Sequence, residues 1–575
     1  MTENLQIAAI FRTIADLLEI KGENPFKARA YRRAADRLEG LSEPVSALIP
    51  QGKLRQLDGI GEAIAKKIEE FVSTGRLAYY ENLKAEVPPG LLEILDIPGV
   101  GPRTARKIHL SLGISGIDAL EAAAKAGKIR HLPGMGVKTE QNILHGIQLL
   151  RGKTGRIPIG MALPAAVGLE EAIKKLHGVE EARVAGSIRR MKETAGDIDV
   201  VIATTDPAAI LQSIVQLEPI RETLSLGDTR ARVMTREGIE ADLWAVKPAE
   251  FYAALHHATG SKAHNVRLRT LAHEHGLKLN EYGLFREDGA KISINHEEDI
   301  YEILGLEYII PEMREDSGEI EAALDHSLPI AIDPLDIKGD LHMHTNWSDG
   351  ISTIEEMVEA ARRRGYSYLA ICDHSKSLGI ARGLSDEDIM KQADYIRRLN
   401  DRIHGIRVLA GIEVDIRKDG TLDYPDEILS QLDIVVASIH SGFRQEKDIM
   451  TQRIITAIRN KNVDILAHPT GRLLGRREPY DVDMEAVLRE AAASGTILEI
   501  NSYPDRLDLS DIWARRAAGY GIKISIDTDA HAPDQLSYIA FGVSVARRAW
   551  LTIENVVNSW PYEKLKTYLD KTISE

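Results

Sequence analysis

Cysteine is nearly absent. Among 575 residues only Cys372 occurs, which excludes a disulfide framework and a cysteine-rich zinc ribbon and makes a reducing compartment the expected setting. Long apolar runs are missing as well: no window of about 18 uncharged apolar residues exists, so no membrane-spanning helix is expected. The start, Met1-Thr2-Glu3, lacks the cationic opening of a secretory signal. These absences predict a soluble, cytoplasmic protein with no membrane partner. An excess of positive charge is the third absence. The 72 basic and 87 acidic residues sum to a formal charge of -15, which taken alone argues against a polyanionic partner such as DNA.

What is present is an ordinary globular composition, 44% hydrophobic and 28% charged. At about 100 to 200 residues per domain, the length implies about three to five domains, each with its own core. Charge is spread unevenly among them. Residues 1–156 hold 23 basic and 18 acidic side chains, 157–338 hold 19 and 32, and 339–575 hold 30 and 37, giving balances of +5, -13 and -7. Histidine is uneven too: seven fall in the last section, and all but His404 sit in short motifs at predicted strand ends.

The first section reads as short helices punctuated by glycine, with helical apolar spacing in residues 7–18 and 64–71. Three related turns recur: Leu57-Asp58-Gly59-Ile60-Gly61, Ile97-Pro98-Gly99-Val100-Gly101 and Leu132-Pro133-Gly134-Met135-Gly136. Each precedes a helix-forming run containing Lys or Arg. The pattern resembles the helix-hairpin-helix motif, in which Gly59, Gly61, Gly99, Gly101, Gly134 and Gly136 would let backbone amides approach a DNA phosphate without regard to base sequence. A plain glycine-containing connection accounts for one copy; three copies favour a nucleic-acid backbone as partner.

In the middle section Val-Ala-Gly-Ser-Ile-Arg-Arg (residues 184–190) is followed by Asp197-Ile198-Asp199 in a β-branched run. Strand alternation puts both carboxylates on one face, where they repel unless they hold cations. Asp242 ends a similar segment and completes the set from a neighbouring strand. Three carboxylates suit two Mg²⁺ ions in phosphoryl transfer, with Gly186, Ser187 and Arg190 gripping a triphosphate. A bare Asp-x-Asp is common; the preceding Gly-Ser-x-Arg-Arg makes this one specific.

These residues resemble those of family X DNA polymerases, and the likeness extends further. Arg156-Ile157-Pro158 resembles the family's phosphate-contacting arginine, and residues 259–269, Thr-Gly-Ser-Lys-Ala-His-Asn-Val-Arg-Leu-Arg, resemble its thumb motif. The resemblance implies nucleotide contacts from Arg156, Gly260, Ser261 and Asn265 and a template contact from Arg269. One departure stands out: where the family usually places Tyr-Phe against the incoming sugar, this chain has His257-Ala258, so weaker rejection of ribonucleotides is expected. Phe26, Tyr31-Arg32-Arg33-Ala34-Ala35 and residues 59–71 resemble the family's lyase domain. Lys67 then falls at the Schiff-base position, with Lys66 helping to keep it neutral, although Ala63 and Tyr79 replace two supporting lysines. The alternative is a helix lysine on a phosphate.

After an acidic connector, apolar strands alternate with helices. Strands are predicted at residues 339–342, 368–373, 407–414, 434–439, 464–467, 497–500 and 522–526, a seven-unit barrel. Candidate metal ligands lie where those strands end: His342, His344, Asp349, His374, Glu413, His440, His468, Asp529 and His531. Nine ligands exceed one ion's need and fit two or three sharing a carboxylate. The set resembles the PHP domain, named for polymerases and histidinol phosphatases, with every ligand position filled. The resemblance implies phosphoester hydrolysis at DNA 3′ ends, extending to abasic sites and 3′-phosphates, with Mn²⁺, Zn²⁺ or Fe²⁺ bound. Arg472, Asn501 and Arg506 are candidates for holding substrate phosphates, and Cys372 reads as a buried strand residue.

The expected fold is multidomain: an N-terminal all-α lyase-like domain (1–90), a helix-hairpin-helix fingers-type domain (91–155), an α+β nucleotidyltransferase palm (156–248) and thumb (249–317), a linker (318–337) and a seven-stranded, distorted TIM-like PHP barrel (338–575). The resemblance implies a bacterial or archaeal gap-filling repair polymerase using Asp197, Asp199 and Asp242, joined to a 3′-5′ exonuclease, acting as a monomer on DNA and dNTPs. Two readings stay open beside it: a nuclease whose polymerase region mainly positions DNA, and a small-molecule phosphatase tethered to a polymerase.

Overall fold

Among the described residues the first strand, Ile157–Pro158, begins after the glycine-punctuated helical section. The computed structural model describes residues 3–39, 45–50, 54–57, 59–95, 97, 100–132, 135–136, 139–140, 143–144 and 156–574. The chain divides into two units, Met1–Thr154 and Gly155–Glu575. No helix among the described residues is long and apolar enough to cross a membrane.

The first unit is helical. The predicted apolar stripes fall within helices Glu3–Lys21 and Glu62–Thr74, and Phe11, Leu18, Leu38, Ile68, Ile94, Ile108 and Leu120 share one core. At their described residues the three glycine turns make the same backbone bonds. In each, an N–H closes on the carbonyl three residues earlier (Ile60 on Leu57, Val100 on Ile97, Met135 on Leu132). The next glycine carbonyl then opens a helical turn: Gly61 accepts from Ala65, Gly101 from Ala105 and Gly136 from Glu140. Gly59 sits at φ 80°, a left-handed value that a side chain would strain. A Cβ on Gly61, Gly101 or Gly136 would meet nothing within 4 Å, so internal packing does not demand glycine there. Gly99 and Gly134 lie outside the described residues.

The second unit holds two sheets that matter for function. One is five-stranded, ordered Val179–Val184, Ile198–Thr204, Glu240–Val246, Arg230–Thr235, Ile220–Leu226. Its central pair, Ile198–Thr204 and Glu240–Val246, is parallel, with Asp199 opposite Asp242. The other has seven parallel strands in sequence order, from Gly339–Met343 to Ile524–Asp527. A bridge between Met343 and Ala530, with His344 N–H donating to the Ala530 carbonyl at 2.8 Å, brings the first strand against the last and nearly closes a barrel. All seven predicted strands are present. The fifth is only Ile465–Leu466, because the chain turns early into the His468 loop. Barrel helices begin at side-chain caps: Thr353 with Glu356 forms a capping box, and Ser385, Asp483 and Ser510 cap three more.

Residues 318–337, expected as a linker, are packed. Helix Glu319–Leu324 buries Ile320 and Ala323 in the thumb core, and buried Ile332 donates its N–H to the Leu551 carbonyl at 2.9 Å. A buried charge network locks the thumb to the palm. Glu297 takes Arg314 at 2.5 Å and Arg189 at 2.6 and 3.1 Å, while Arg189 also donates to Thr259 Oγ1 at 2.7 Å. Burial alone would raise the Glu297 carboxyl, but Arg314 and Arg189 hold it far below the carboxylate range.

Glu297→Ala removes the carboxylate shared by the buried Arg314 and the half-buried Arg189, so the second unit should lose about 3–5 kcal/mol, read as an earlier denaturant transition by circular dichroism. The folded pKa lies below the ordinary 4.5. The pair's contribution is therefore complete above about pH 4.5 and drains away as pH falls toward the folded value, so the wild-type advantage should shrink only in acid.

Candidate catalytic centres

Asp197, Asp199 and Asp242 come together at one end of the central strands of the five-stranded sheet, with ligand atoms within 4.8 Å of one another. The parallel register does this directly, since residues paired across neighbouring strands project on one face. Burial, then the charges of Asp197 and Asp242, push the Asp199 carboxyl up to about 7, and Asp197 is raised by burial and by Asp242. Arg232 clamps Asp242 from the next strand at 2.7 and 3.2 Å. A cavity of about 430 Å³ opens beside the trio, lined by Asp199, Asp242, Arg230, Arg232, Trp244, His257 and Ala258. Three half-buried carboxylates whose like charges repel one another fit divalent cations.

Gly186 is required by that arrangement: at φ 62° it lies so close that a Cβ would stand 1.9 Å from Asp199 Oδ2. Ser187 follows it in the short helix Gly186–Arg189. Arg190 is near enough to Asp199 to oppose the rise in its pKa, but its guanidinium is engaged by Glu315 at 2.9 Å and by the Thr259 carbonyl. Arg156 donates to the Thr194 hydroxyl at 3.0 Å and to the Thr194 carbonyl at 2.5 Å, and its charge reaches Asp197.

On the thumb, Gly260 closes helix Phe251–Thr259 and Ser261 caps helix Lys262–Glu274 through a 3.2 Å bond from His264 N–H. Asn265 donates to the His257 carbonyl at 2.8 Å, while its Oδ1 is buried without a partner. Arg269 lies 2.7 Å from His257 Nδ1, so His257 is held from behind and its ring faces Trp244 edge-on at the cavity wall. Burial and Arg269 lower the His257 pKa, which keeps the ring neutral.

In the first unit Lys67 Nζ sits 4.8 Å from the Tyr79 ring centre and donates to the Ala63 carbonyl at 3.2 Å. Burial lowers its pKa, and the cation that adds to this is Lys27. Lys66, expected in that role, instead pairs with Glu62 at 3.2 Å on the exposed helix face.

The barrel gathers all nine predicted ligands around Glu413, which is 1% exposed. Glu413 oxygens lie 2.7 Å from His374, 3.1 Å from His468, 3.3 Å from His440 and 3.7 Å from both His342 and His344. Ligand atoms form three overlapping sets: His344, Asp349, His374 and His531; His342, His344 and Asp529; His374, Glu413 and His440. His344 Nδ1 is buried with no hydrogen-bond partner, and the 2.7 Å contact of His374 Nδ1 with Glu413 Oε2 lacks hydrogen-bond geometry, so the protein itself leaves these donor atoms unsatisfied. That donor chemistry, imidazole and carboxylate around shared ligands, fits two or three divalent ions. Burial opposes ionisation of Glu413, yet His440, His374 and His342 hold its carboxyl well below the usual range.

Several supporting carboxylates escaped sequence reasoning. Glu499 binds His342 Nδ1 at 2.7 Å and accepts His468 N–H at 2.7 Å, and Asp415 binds His440 Nδ1 at 3.1 Å. Asp373 collects Thr345, Ser348 and Gln392, tying the first two strand ends together. An acid inside an apolar strand, as in Ile-Leu-Glu-Ile or Glu-Val-Asp, was the available signal. Cys372 is buried, its thiol donating to the Leu341 carbonyl at 3.3 Å. Arg472 corrects an expectation: its guanidinium is bound to Glu193 of the palm at 2.6 and 3.1 Å and is not turned to a substrate.

Comparison with known proteins agrees with this layout. Residues 2–77 match a helix-hairpin-helix domain, 91–148 a SAM-like helix-hairpin-helix tandem, 254–315 the DNA polymerase beta thumb and 340–502 the PHP domain. The DNA polymerase/3'-5' exonuclease PolX of Bacillus subtilis (strain 168) is 38% identical over 568 residues, covering 98% of this chain and 99% of that one. A probable phosphatase of Thermoanaerobacter sp. (strain X514) is 33% identical over 241 residues, 40% of this chain and 93% of its own. Fold and centres together define a nucleotidyltransferase joined to a phosphoesterase, each dependent on divalent metal. The chain belongs to the family X DNA polymerases that carry helix-hairpin-helix segments and a C-terminal PHP domain, with DNA and dNTPs as substrates.

Gly186→Ala should displace the Asp199 carboxylate by about an ångström or more and slow primer extension about 10²-fold in single-turnover assays, without altering barrel chemistry. Glu499→Gln should weaken divalent-ion binding at the barrel about 10- to 100-fold, read by competition with a fluorescent chelator.

Proposed function

We propose that the chain fills short gaps in DNA during repair and removes nucleotides from 3′ ends, extension being performed at Asp197, Asp199 and Asp242 and hydrolysis at the barrel. The observation that carries this reading is the presence of two complete, separate acid-rich donor sets, one beside a cavity of about 430 Å³ and one buried at strand ends. Divalent ions bound at each set, Mg²⁺ in the palm and Mn²⁺, Zn²⁺ or Fe²⁺ in the barrel, supply Lewis acidity toward phosphate oxygens.

The chain's own groups do the rest. In the palm, Arg232 fixes Asp242, and Gly186 leaves room for Asp199 to meet Asp197. Arg156, Ser187, Arg190, Gly260, Ser261 and Asn265 surround the nucleotide, with Arg190 exchanging Glu315 for the triphosphate; Arg269 contacts the template. Gly59, Gly61, Gly99, Gly101, Gly134 and Gly136 take the DNA backbone. In the barrel, His342, His344, Asp349, His374, Glu413, His440, His468, Asp529 and His531 hold the ions, and Glu499 and Asp415 hold His342 and His440 in one tautomer and orientation. The relative from Bacillus subtilis bears both activities in its name, and the barrel's likeness to probable phosphatases supports hydrolysis of 3′-phosphates as well.

A second feature qualifies the polymerase. Ala258 and the neutral His257 ring line the cavity where a bulkier pair would crowd a 2′-hydroxyl, which favours relaxed sugar selectivity.

A one-nucleotide-gapped duplex offered with dNTP or rNTP in Mg²⁺ or Mn²⁺ tests all of this. Wild type should extend with both sugars and shorten 3′ ends. Asp197→Ala/Asp199→Ala should lose only extension, His342→Ala/His344→Ala only shortening, each by about 10³-fold or more. His257→Tyr/Ala258→Phe should raise dNTP preference at least about tenfold, a discrimination near 1.4 kcal/mol. A wild type that never extends, or never shortens, refutes the corresponding half.

A further inference from the structure

The loop from Asn501 to Asp508 leaves the sixth barrel strand and carries Arg506 to the barrel centre. Within it, Asn501 N–H donates to the Asp508 carbonyl at 2.5 Å, Tyr503 N–H donates to Asn501 Oδ1 at 3.0 Å, and the Arg506 and Leu507 N–H groups share the Tyr503 carbonyl at 2.7 and 3.1 Å. The carbonyls of Arg506 and Leu507 are taken by Arg472, whose Nε reaches the first at 3.1 Å and whose Nη2 reaches the second. The same guanidinium is gripped by both Glu193 oxygens at 2.6 and 3.1 Å, and the two side chains are only 13% and 21% exposed.

Glu193 is no part of the barrel. It lies in the palm between Arg190 and Asp197, anchored by its own carbonyl, which accepts Ile159 N–H at 2.9 Å. The palm touches the loop a second time: a Cβ on Gly160, at the start of helix Ile159–Lys174, would lie 2.4 Å from Pro504 Cβ. At the loop's far side, Arg506 Nε stands 3.6 Å from Asp529 Oδ2, an oxygen that also accepts Asn501 Nδ2 at 3.1 Å.

We propose that Glu193 is a positioning residue for the barrel's reaction: through Arg472 it fixes the backbone at Arg506 and Leu507 so that the Arg506 guanidinium stands beside Asp529 and takes a phosphate oxygen of the DNA 3′ end. This rests on reading the barrel as a 3′-end nuclease. The physical reason is geometric. A bidentate guanidinium–carboxylate pair fixes distance and plane together, and a guanidinium that also caps two consecutive carbonyls transmits that placement to the chain. The barrel also holds the loop, with Leu474 N–H on the Asp505 carbonyl at 2.6 Å, Ser502 N–H on the Asp527 carbonyl at 2.7 Å and Arg476 against Asp505 at 3.3 Å, but among the described residues Arg472 is the side chain that ties the Arg506 and Leu507 carbonyls to the palm. Hydrolysis at a 3′ end is thereby registered by a polymerase residue next to the nucleotide-gripping Arg190.

The full-length protein and its Glu193→Gln, Arg472→Lys, Arg506→Ala and Glu193→Gln/Arg506→Ala variants test this, with 3′-end shortening of a labelled oligonucleotide and hydrogen–deuterium exchange of residues 501–508 as readouts. Glu193→Gln should lower kcat/KM for shortening about 10- to 100-fold, and Arg472→Lys, which keeps charge but not the fork, should lower it less. The double variant should fall no further than Arg506→Ala, because Glu193 acts through Arg506. The Arg506 and Leu507 amides should exchange at least about tenfold faster in Glu193→Gln, while primer extension by Arg472→Lys stays within about twofold of wild type. Multiplying losses in the double variant, or unchanged amide exchange, would overturn the proposal. A wild type that shortens no 3′ end refutes the nuclease reading instead, and the exchange measurement still decides whether Glu193 braces the loop.

Discussion

Carboxylates held away from water govern this protein. Asp199 with its two neighbours, and Glu413 among five imidazoles, concentrate ionisable groups where the dielectric is low and uncompensated charge is costly. Each centre needs cations, and each needs a scaffold stiff enough to keep like charges from drifting apart. The scaffolds differ. In the palm, two parallel strands in register put Asp199 and Asp242 side by side, and a glycine gives way to the carboxylate. In the barrel, seven strand ends converge, and a further ring of buried acids, Glu499, Asp415 and Asp373, orients what the strands deliver.

The same logic reappears between the parts of the second unit. Glu297 joins Arg189 to Arg314, Glu193 joins palm to Arg472, and Arg548 bonds the Arg190 carbonyl at 3.4 Å, Glu315 at 3.4 Å and Asp511. Arginine suits these places because its fork satisfies several acceptors from one buried group.

Much of this was legible beforehand. Short apolar runs alternating with helices announced all seven barrel strands, because a strand covered on both faces has to be apolar along its length. Histidine at strand ends announced the ligands, and the glycine turns announced three equivalent helix starts. What could not be read was pairing across distance. Lys66 was next to Lys67 in the chain, yet a helix turns adjacent residues apart, and the cation near Lys67 came from Lys27 on another helix. Arg472 is a candidate for holding substrate phosphate from its place in a loop after a strand; its partner, Glu193, is separated from it by most of the second unit. The connector reads as a linker because of its acidic residues and prolines, although Ile320, Ala323 and Ile332 are all buried.

That connector has a mechanical consequence. With Ile332 tied to Leu551 and helix Glu319–Leu324 sunk in the thumb core, the tether has no slack to pay out, and the barrel is bolted to the palm through arginine forks. A primer terminus passing from synthesis to trimming has to be carried by the DNA itself, by sliding, fraying or release, and cannot be fetched by a swinging nuclease arm.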